Sequence, residues 1–500
     1  MSSMPQINNI VYLMIENRSF DNLLGWLYDN NNLPQGLPVN IPPLIPGEAA
    51  FHGLTEPGYT FANSLNGVSY PVQPGVSGDF PCWTPDPDPG ETYEHVNNQL
   101  FGSTDGSNPP DLQAPTMDGF LQDYRSQTLD DDEALKILNT YTPAQLPVLN
   151  YLARNFAVSD MWFASIPSQT DCNRAFAMAG TSLGWVNNYY TDLAYPKPFD
   201  TRTIWNVLSD NGKGSAEDWK IYYTDLWLSF STCFTWQIFP QLQSIPGAAS
   251  QVNSIDQFYS DLTNGQLAAF SFLEPGWTLE EWGAGKYGND YHPPGHVVDG
   301  EDLIRKLVTA CYESSYWQNM LLVITTDEHG GNYDHIPPPW GATPPDDWRM
   351  EAGFNFDRFG VRVPTILISP WVTPGTVFRS ETSVPYDHTS FLATLLNWFG
   401  IPQSQWQLGN RILNAPTFEN VLTNTPNTVT LQIPDNWCSN LVLAANQPMR
   451  RQHVLHVATL LAAYHNVPEK AAEIVSDIHA TCKTQGDLAA YFKKFELAVS

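Results

Sequence analysis

The sequence predicts an α/β protein whose mainly parallel central sheet is covered by helices on both faces. Apolar runs of strand length recur along the chain, and segments with helical apolar spacing separate them. Parallel strands need long crossover connections, which are usually helical, and their burial on both faces produces such continuous apolar runs. With 500 residues and 42% hydrophobic content, the chain can bury one large domain of this class with an appendage.

The elements follow in chain order from a first strand, NIVYLMI, at residues 9–15. A turn and a short helix from Phe20 come after it. Further strands are predicted at residues 156–160, 219–225, 267–275, 320–328 and 363–370. Helical patterns lie between and after them, as in GEDLIRKLVTACYESSYW and TSFLATLLNWFG. This alternation is typical of βαβ units.

A change in amino-acid composition and pattern near residue 411 divides the chain into two parts. Residues 1–410 are predicted to form the main domain, in which the Pro- and Gly-rich residues 31–115 make a long irregular excursion over the surface. Residues 411–500 read as a linker with a short strand, followed by a small and mostly helical C-terminal appendage. The appendage is expected to pack on the protein, although contact with a partner is an alternative.

The charge balance excludes some classes of partner. There are 52 acidic and 23 basic side chains, and the formal net charge is -29. Such a chain repels nucleic acid and anionic membrane surfaces but not zwitterionic ones. An acidic cleft would attract cations, whereas a simple solvated acidic surface is the alternative reading. We therefore expect no nucleic-acid partner.

Cysteine usage and targeting signals leave the compartment open. The six cysteines are scattered without a CxxC pair, so both disulfides and free buried thiols are compatible with the sequence. The first residues lack the pattern of a Sec signal, and no apolar run is long enough to span a membrane. The expected location is the cytoplasm or, by a non-Sec route, outside it.

Polar side chains follow two of the predicted strands. Glu16-Asn17 ends the first strand, and Asp327-Glu328 ends the strand MLLVITT. In open parallel sheets the chemistry gathers beyond the carboxyl ends of the strands, and hard cations take several oxygen ligands. The two pairs together predict a site for a divalent metal, whereas each acid alone could be a cap or a turn residue.

A third polar segment, SIPSQTDCNRAFAMAG, places Thr170 at the start of a predicted helix. A helix amino terminus favours an anion such as phosphate, and Asn173 could supply a further donor one turn on. Thr170 could be merely an N-cap. Next to a bound metal it is a candidate nucleophile, because coordination lowers the pKa of a hydroxyl.

Histidines in loops between or after the strands add candidate acids, ligands and substrate contacts. These are His95 in the early loop, His292 and His296 in YHPPGHVVDG, His335 in NYDHIPPP and His388 in YDHTS.

Several segments together resemble the bacterial and fungal phosphoesterase family of the alkaline phosphatase superfamily, over about residues 8 to 400. They are ENRSFDNLLG, SIPSQTDCNRAFAMAGTS, YHPPGHVVDGE, TTDEHGGNYDHIPPP and YDHTSFLATLLNWFG. The family includes phosphatidylcholine-type phospholipases C and an acid phosphatase. The resemblance implies an alkaline phosphatase-like fold for the main domain. The sequence departs from the family pattern at Cys172, where the family usually has Pro.

The resemblance also implies roles for individual residues. It implies one divalent metal held by Glu16, Asn17, Asp327 and Glu328. It implies Thr170 as the nucleophile and Asn173 as a donor to a phosphoryl oxygen. His292 matches the HPP motif, His95 the early-loop histidine, and His388 a position that binds a second metal in related superfamily members. Whether the metal is Ca, Mg, Mn or Zn stays open, and a second metal is not assigned.

The combined prediction is a metal-dependent phosphoric ester hydrolase that works in two steps through a phosphothreonine intermediate. His292 is the candidate general acid, with His95 as its substitute. Asn173, His335 and His388 are candidate substrate-binding residues. A Thr nucleophile resembles the phospholipases C, so a phosphatidylcholine-type lipid is the expected substrate and transient contact with a membrane surface is expected. The alternatives are an acid phosphatase and an inactive, metal-stabilised binding protein.

Overall fold

The structure is a computed structural model that describes most of the chain. The residues described are 3–28, 36–55, 60–75, 85, 87–128, 130–188, 199–224, 233–276, 288–293, 295, 297–346, 350–434, 476–478 and 480–482.

The described strands are β1 (Asn9–Ile15), β2 (Val39–Ile41), β3 (Ala62–Leu65), β4 (Val68–Pro71), β5 (Gln73–Pro74), β6 (Asn139–Thr140), β7 (Ala157–Ser159), β8 (Trp162–Phe163), β9 (Trp219–Tyr223), β10 (Val252–Ser254), β11 (Phe270–Glu274), β12 (Met320–Thr326), β13 (Thr365–Ile368), β14 (Thr376–Phe378) and β15 (Tyr386–Asp387). The described α-helices are α1 (Phe20–Leu24), α2 (Tyr93–Phe101), α3 (Phe120–Thr128), α4 (Asp131–Ala134), α5 (Pro147–Asn155), α6 (Thr170–Ala179), α7 (Ile204–Asp210), α8 (Phe234–Ile238), α9 (Pro240–Gln243), α10 (Ile255–Asn264), α11 (Val297–Glu313), α12 (His388–Trp398) and α13 (Arg411–Asn414). Short 3-10 turns lie at Leu135–Leu138, Ala248–Gln251, Trp317–Asn319, Glu351–Gly353, Gln403–Gln405 and Glu419–Val421.

A nine-stranded sheet forms the centre of the molecule, in the order β10-β9-β11-β1-β12-β13-β7-β14-β2. β13 runs antiparallel to both of its neighbours, and all other neighbouring pairs of this sheet are parallel. Helices surround the sheet, so the predicted α/β class with a mainly parallel sheet is confirmed. Each of the six strands predicted within residues 1–410 overlaps a strand of this sheet.

The central strands are buried along their whole length, which explains their continuous apolar sequences. Every residue of β1 and of β12 is buried. The ring of Tyr12 in β1 stacks on Phe391 of α12, with ring centroids 3.9 Å apart. α12 in turn packs on α6, so these two helices cover the same face of the sheet.

The register of β1 against β12 decides where the polar residues meet. The strands pair in parallel, and Ile15 lies opposite Thr326 at their carboxyl ends. The next residue of each strand is acidic, Glu16 in one and Asp327 in the other. Both acids therefore leave the sheet side by side.

Residues 31–115, which were predicted to form one irregular excursion, contain several short regular elements. β3 and β4 form a hairpin whose turn, Asn66-Gly67, has positive φ at both residues, as a tight two-residue hairpin turn requires. α2 begins after its N-cap Thr92 and ends at Gly102 in the left-handed conformation. Turn and cap residues here belong to regular elements.

The predicted linker begins inside the main body. α13 starts at Arg411, and Ile412, Phe418 and Val421 are buried in the same apolar core as β1 and β12. The described residues 423–434 form no strand, in contrast to the prediction. The helical appendage predicted from residue 447 lies outside the described residues, apart from 476–478 and 480–482.

The described cysteines, namely Cys172, Cys233, Cys311 and Cys482, are all buried, and the first three are free thiols. Among the helices that the structure describes, none is both long and apolar enough to cross a bilayer.

Candidate active site

Asn17 is the centre of a buried polar cluster at the carboxyl end of β1. Its backbone N–H donates to Asp327 Oδ1 (3.2 Å), and its side-chain Nδ2 donates to Glu91 Oε2 (2.5 Å). The hydroxyl of Thr170 donates to Asn17 Oδ1 (3.2 Å). The backbone of Asn17 has a φ of 45°, which turns the chain sharply after the strand. The structure thus joins the predicted metal ligands to the predicted nucleophile.

The second acidic pair is held by backbone donors. Asp327 Oδ1 also accepts from the N–H of Glu328 (2.8 Å), and Glu328 Oε2 accepts from the N–H of Gly330 (2.7 Å). Gly330 has a φ of 59°, and a Cβ there would lie 2.2 Å from the carbonyl oxygen of Asn17. Only glycine allows this approach, which accounts for the first glycine of the DEHGG segment.

Arg174 also belongs to this site, although its place in the sequence predicts no role for it. Its Nε donates to Asp327 Oδ2 (3.0 Å), and its Nη2 donates to the carbonyls of Met14 (3.2 Å) and Ile15 (3.1 Å). Nη2 also lies 4.0 Å from Glu16 Oε1. This guanidinium therefore ties α6 to the end of β1 and partly neutralises the acids.

The cluster contains more acidic side chains than the single positive charge of Arg174 can neutralise. Burial, and then the charge of Asp327, raise the pKa of Glu16 and of Glu328 well above the usual range. Burial, and then the charge of Glu328, do the same to the pKa of Glu91. Ionising several buried carboxyl groups that face one another costs free energy unless a cation binds between them. The atoms that these side chains offer as metal ligands are all oxygens. The cluster is thus consistent with a divalent metal ion.

Thr170 lies at the amino terminus of α6, as predicted. The N-cap is Gln169, so Thr170 is the first helical residue and its hydroxyl faces Asn17. The whole helix is buried, and the N–H of Asp171 donates to Asn188 Oδ1 (2.9 Å). The reading of Thr170 as an N-cap is therefore wrong.

The side-chain amide of Asn173 bonds to the backbone that precedes α6. Its Oδ1 accepts from the N–H of Ile166 (3.0 Å), and its Nδ2 contacts the carbonyl oxygens of Ile166 (3.2 Å), Ser168 (2.8 Å) and Gln169 (3.2 Å). The amide is committed to the turn that precedes α6. This bonding holds Thr170 in place and does not favour donation to a phosphoryl oxygen.

His292 lies beside the cluster and is buried. The N–H of Glu16 donates to the carbonyl of Asp290 (2.7 Å), which brings this loop to the end of β1. His292 Nδ1 donates to the carbonyl of Pro293 (2.6 Å), so Nε2 is the ring atom that can exchange a proton. Nε2 lies 3.9 Å from Glu91 Oε2, and Nδ1 lies 3.6 Å from Asp88 Oδ1. His296 lies outside the described residues.

Glu91 and Asp88 were missed because they fall in the segment predicted to be irregular. One ligand atom from each of Asp88, Glu91 and His292 lies within 4.8 Å of the others. The acidic segment PDPGET (residues 87–92) before α2 was the available signal, but no strand end marks it.

His388 contacts the segment that carries Asp327 and Glu328. It is fully buried, burial lowers its pKa, and the neutral ring donates from Nε2 to the carbonyl of Asp327 (2.5 Å). This bond supports the turn that carries Asp327. The bond occupies Nε2 alone, and the contact of His388 with substrate stays a prediction.

The remaining two histidines pair with acids of their own. His335 Nδ1 bonds Asp21 Oδ2 (2.6 Å), and Asp21 also accepts from Arg362 (2.9 Å), so His335 belongs to a separate buried ion cluster and not to the predicted substrate contact. His95 lies on α2, where Nδ1 bonds Asp123 Oδ1 (2.8 Å) and the side chain is 31% exposed. Its role as a substitute acid stays a prediction.

This chain is similar to several known proteins. The model of the Phosphoesterase family matches residues 7–402. Non-specific phospholipase C6 of Arabidopsis thaliana is 33% identical over 94% of this chain and 81% of the relative. Phospholipase C B of Mycobacterium tuberculosis is 27% identical over 80% of this chain and 74% of the relative. Among solved structures, a protein in the alkaline phosphatase superfamily from Vibrio parahaemolyticus is 13% identical, covers 55% of this chain and 65% of its own, and has a TM-score of 0.32.

Proposed function

Because the chain belongs to the Phosphoesterase family and is a phosphoric ester hydrolase, we propose that it is a phospholipase C for phosphatidylcholine-type lipids with Thr170 as its nucleophile. The observation that carries this proposal is the buried Thr170 hydroxyl, 3.2 Å from Asn17 Oδ1, at a helix start beside the acidic cluster. Relatives with the name phospholipase C support the lipid class. The net charge of -29 favours zwitterionic lipids over anionic ones.

The residues that would hold the divalent cation are Glu16, Asn17, Asp327 and Glu328. Their carboxylate and amide oxygens suit a hard cation, and Arg174 and the Gly330 N–H fix the orientation of the acids. When bound, the cation neutralises charge on the phosphoryl oxygens and lowers the pKa of a nearby hydroxyl. Calcium, magnesium, manganese and zinc are the ions to compare.

The first chemical step forms a bond between Thr170 Oγ1 and phosphorus. The bond from phosphorus to the glycerol oxygen breaks, and diacylglycerol leaves with a proton from His292 Nε2. The hydroxyl proton of Thr170 passes to solvent as the new bond forms, and solvent returns a proton to this oxygen at the end of the second step. The helix amino terminus at Thr170 favours the negative charge of the phosphoryl group.

The second step restores the enzyme. His292 Nε2 takes a proton from water, the water oxygen attacks phosphorus, and the bond from phosphorus to Thr170 Oγ1 breaks. The phosphorylated head group is released, and the oxygen of Thr170 regains a proton. The burial of Thr170 and His292 limits access of bulk water to the covalent intermediate.

Thr170→Ala tests the nucleophile. Wild type and variant are assayed on phosphatidylcholine vesicles and on a chromogenic phosphomonoester, with each of the four metals. We expect wild type to hydrolyse the lipid, and the variant to lose at least ~10³-fold in kcat, because no other group replaces the attacking oxygen. The matched control is Thr263→Ala, which removes an exposed helical hydroxyl of α10.

The outcomes separate the alternatives. Hydrolysis of the monoester alone would identify a phosphatase, and hydrolysis of neither substrate would favour a binding protein. Acid quenching of wild type, followed by mass spectrometry, should find the head-group phosphate on the peptide that contains Thr170. A folded Thr170→Ala variant with most of its activity would refute the mechanism.

A further inference from the structure

We propose that Glu91 is a positioning residue that fixes the side-chain amide of Asn17, so that the amide oxygen faces Thr170 and the cation site. The inference rests on the proposed function of Thr170 and concerns a residue outside the predicted ligand set. Glu91 is buried and immediately precedes Thr92, the N-cap of α2.

The amide of Asn17 has two chemically different ends, and each one has a partner. Nδ2 lies 2.5 Å from Glu91 Oε2, whereas Oδ1 lies 3.2 Å from the Thr170 hydroxyl. Burial and the charge of Glu328 raise the pKa of Glu91, and a proton on Glu91 is shared with Glu328, because the two carboxyl groups form a hydrogen bond. The Glu91 oxygen that faces Asn17 remains an acceptor, so it requires the NH₂ end. The bond to Glu91 therefore directs the oxygen of Asn17 towards Thr170.

Thr170 cannot make this choice by itself. A hydroxyl is both a donor and an acceptor, so it can pair with either end of an amide. The choice matters because an amide oxygen ligates a hard cation, whereas an amide NH₂ group has only protons to offer. Without Glu91, rotation of the Asn17 side chain by half a turn would place the wrong group in the site.

The backbone around Glu91 is held firmly enough for this purpose. The carbonyl of Gly90 accepts from Gln99 Nε2 (2.6 Å), and Thr92 caps the first turn of α2. Gly331 lies close to the same carbonyl, since a Cβ there would be 2.6 Å from Gly90 O. The turn before α2 thus packs on the glycine turn that follows Glu328, which places Glu91 against the metal-binding segment.

The experiment compares variants at positions 17 and 91 in the full chain. Glu91→Ala and Glu91→Leu remove the acceptor, and the Leu variant keeps most of the volume. Glu91→Gln keeps an oxygen that can accept from Asn17 Nδ2, because its own NH₂ end would face the carboxyl group of Glu328, with which Glu91 shares a hydrogen bond. Asn17→Ala and the double variant Asn17→Ala/Glu91→Ala complete a double-mutant cycle. Glu94→Ala, an exposed acid of α2, is the matched control.

Two readouts are used, namely kcat and KM on the lipid, and the affinity for Mn²⁺ alone by isothermal titration calorimetry. We expect Glu91→Ala and Glu91→Leu to lower kcat and Mn²⁺ affinity by about 10- to 100-fold, as the loss of a supporting hydrogen bond does at metal sites, with little change in KM. Glu91→Gln and Glu94→Ala should stay within about threefold of wild type on both readouts. The double variant should equal Asn17→Ala, because Glu91 acts through Asn17.

Two results would overturn the inference. One is an additive loss in the double variant, which would mean that Glu91 acts on cation or substrate directly. The other is a Glu91→Gln variant as impaired as Glu91→Ala, which would mean that the charge and not the acceptor matters. If wild type hydrolyses no phosphate ester, the proposed function fails, while the Mn²⁺ titrations still decide the role of Glu91.

Discussion

At the scale of single residues, buried charges in this protein are held by several partners at once. Asp160 is an example away from the site: Arg379 donates to both of its oxygens (2.8 Å each), and the N–H of His52 donates to Oδ2 (2.8 Å). Burial alone would raise the pKa of Asp160, but the bonds and the charge of Arg379 outweigh it and lower the pKa below the ordinary value. The ionised form is therefore the one that stabilises the fold.

Asp160→Asn should reduce the free energy of unfolding at pH 7 by about 3 kcal/mol, because it removes the fully buried one of the two carboxylates that pair with Arg379 and leaves only the more exposed Glu48. The folded pKa lies below the unfolded one, so this stabilisation is present above about pH 4 and is lost as the pH falls through the folded pKa. Urea unfolding of wild type and variant between pH 7 and pH 3 measures the difference.

The exposed pair of Arg202 and Asp210 provides the control, because Asp210→Asn should cost less than ~1 kcal/mol at any pH. A difference between wild type and Asp160→Asn that grows below pH 4 would contradict the assignment.

At the scale of elements, α6 is the helix that carries the proposed nucleophile. It begins with Thr170, contributes Arg174 to the acidic cluster, and ends at Gly180 with a φ of 72°. A Cβ on Gly180 would lie 2.1 Å from the carbonyl oxygen of Leu408. The start of α6 therefore lies at the acidic cluster, and its end lies at the close contact between Gly180 and the backbone of Leu408.

Gly180→Ala should destabilise the protein by about 1 kcal/mol for the left-handed backbone and by about 1–3 kcal/mol more for the clash with Leu408. Thermal unfolding followed by circular dichroism measures the loss. Gly212→Ala is the matched control, because Gly212 has a φ of 73° but nothing within 4 Å of the added Cβ. Equal losses in the two variants would show that the close contact has no effect on stability.

At the scale of the whole molecule, the sheet brings together parts of the chain that are far apart in sequence. Asn17 and Asp327 are 310 positions apart but share a hydrogen bond, because β1 and β12 are neighbours in the sheet. The turn before α2 and the first residue of α6 then add Glu91 and Thr170 from two further segments. The acidic cluster exists only in the folded chain.

A divalent cation should therefore stabilise the folded protein. A ligand that binds only the folded state adds about 2.7 kcal/mol at a concentration of 100 times its Kd. We expect a higher midpoint of thermal unfolding with one of the four metals than with chelator, and no such shift in Asp327→Asn. Glu133→Gln, at an exposed acid of α4, should shift as wild type does. An equal shift in Asp327→Asn would place the cation elsewhere.

The parts of the site that were predicted lie at strand ends and at a helix start. Glu16, Asn17, Asp327 and Glu328 could be found because each pair follows an apolar strand, and Thr170 because a turn precedes an apolar helix. Glu91 and Arg174 could not, since one precedes a helix in a segment rich in loop-forming residues and the other lies within a helix. Their roles depend on which elements pack together.

The amino-acid sequence by itself determined the local features of this protein: the α/β class, the apolar strands, the family resemblance and the residue types available for phosphoryl transfer. These features depend on periodicity and on neighbours along the chain, which a sequence displays directly. The tertiary structure alone decided that β1 lies beside β12, that Asn173 braces a turn, that His335 joins a separate ion cluster and that Glu91 orients Asn17. Each of these is a contact between distant segments, and the direction of a side chain at such a contact follows from the packing of the whole fold.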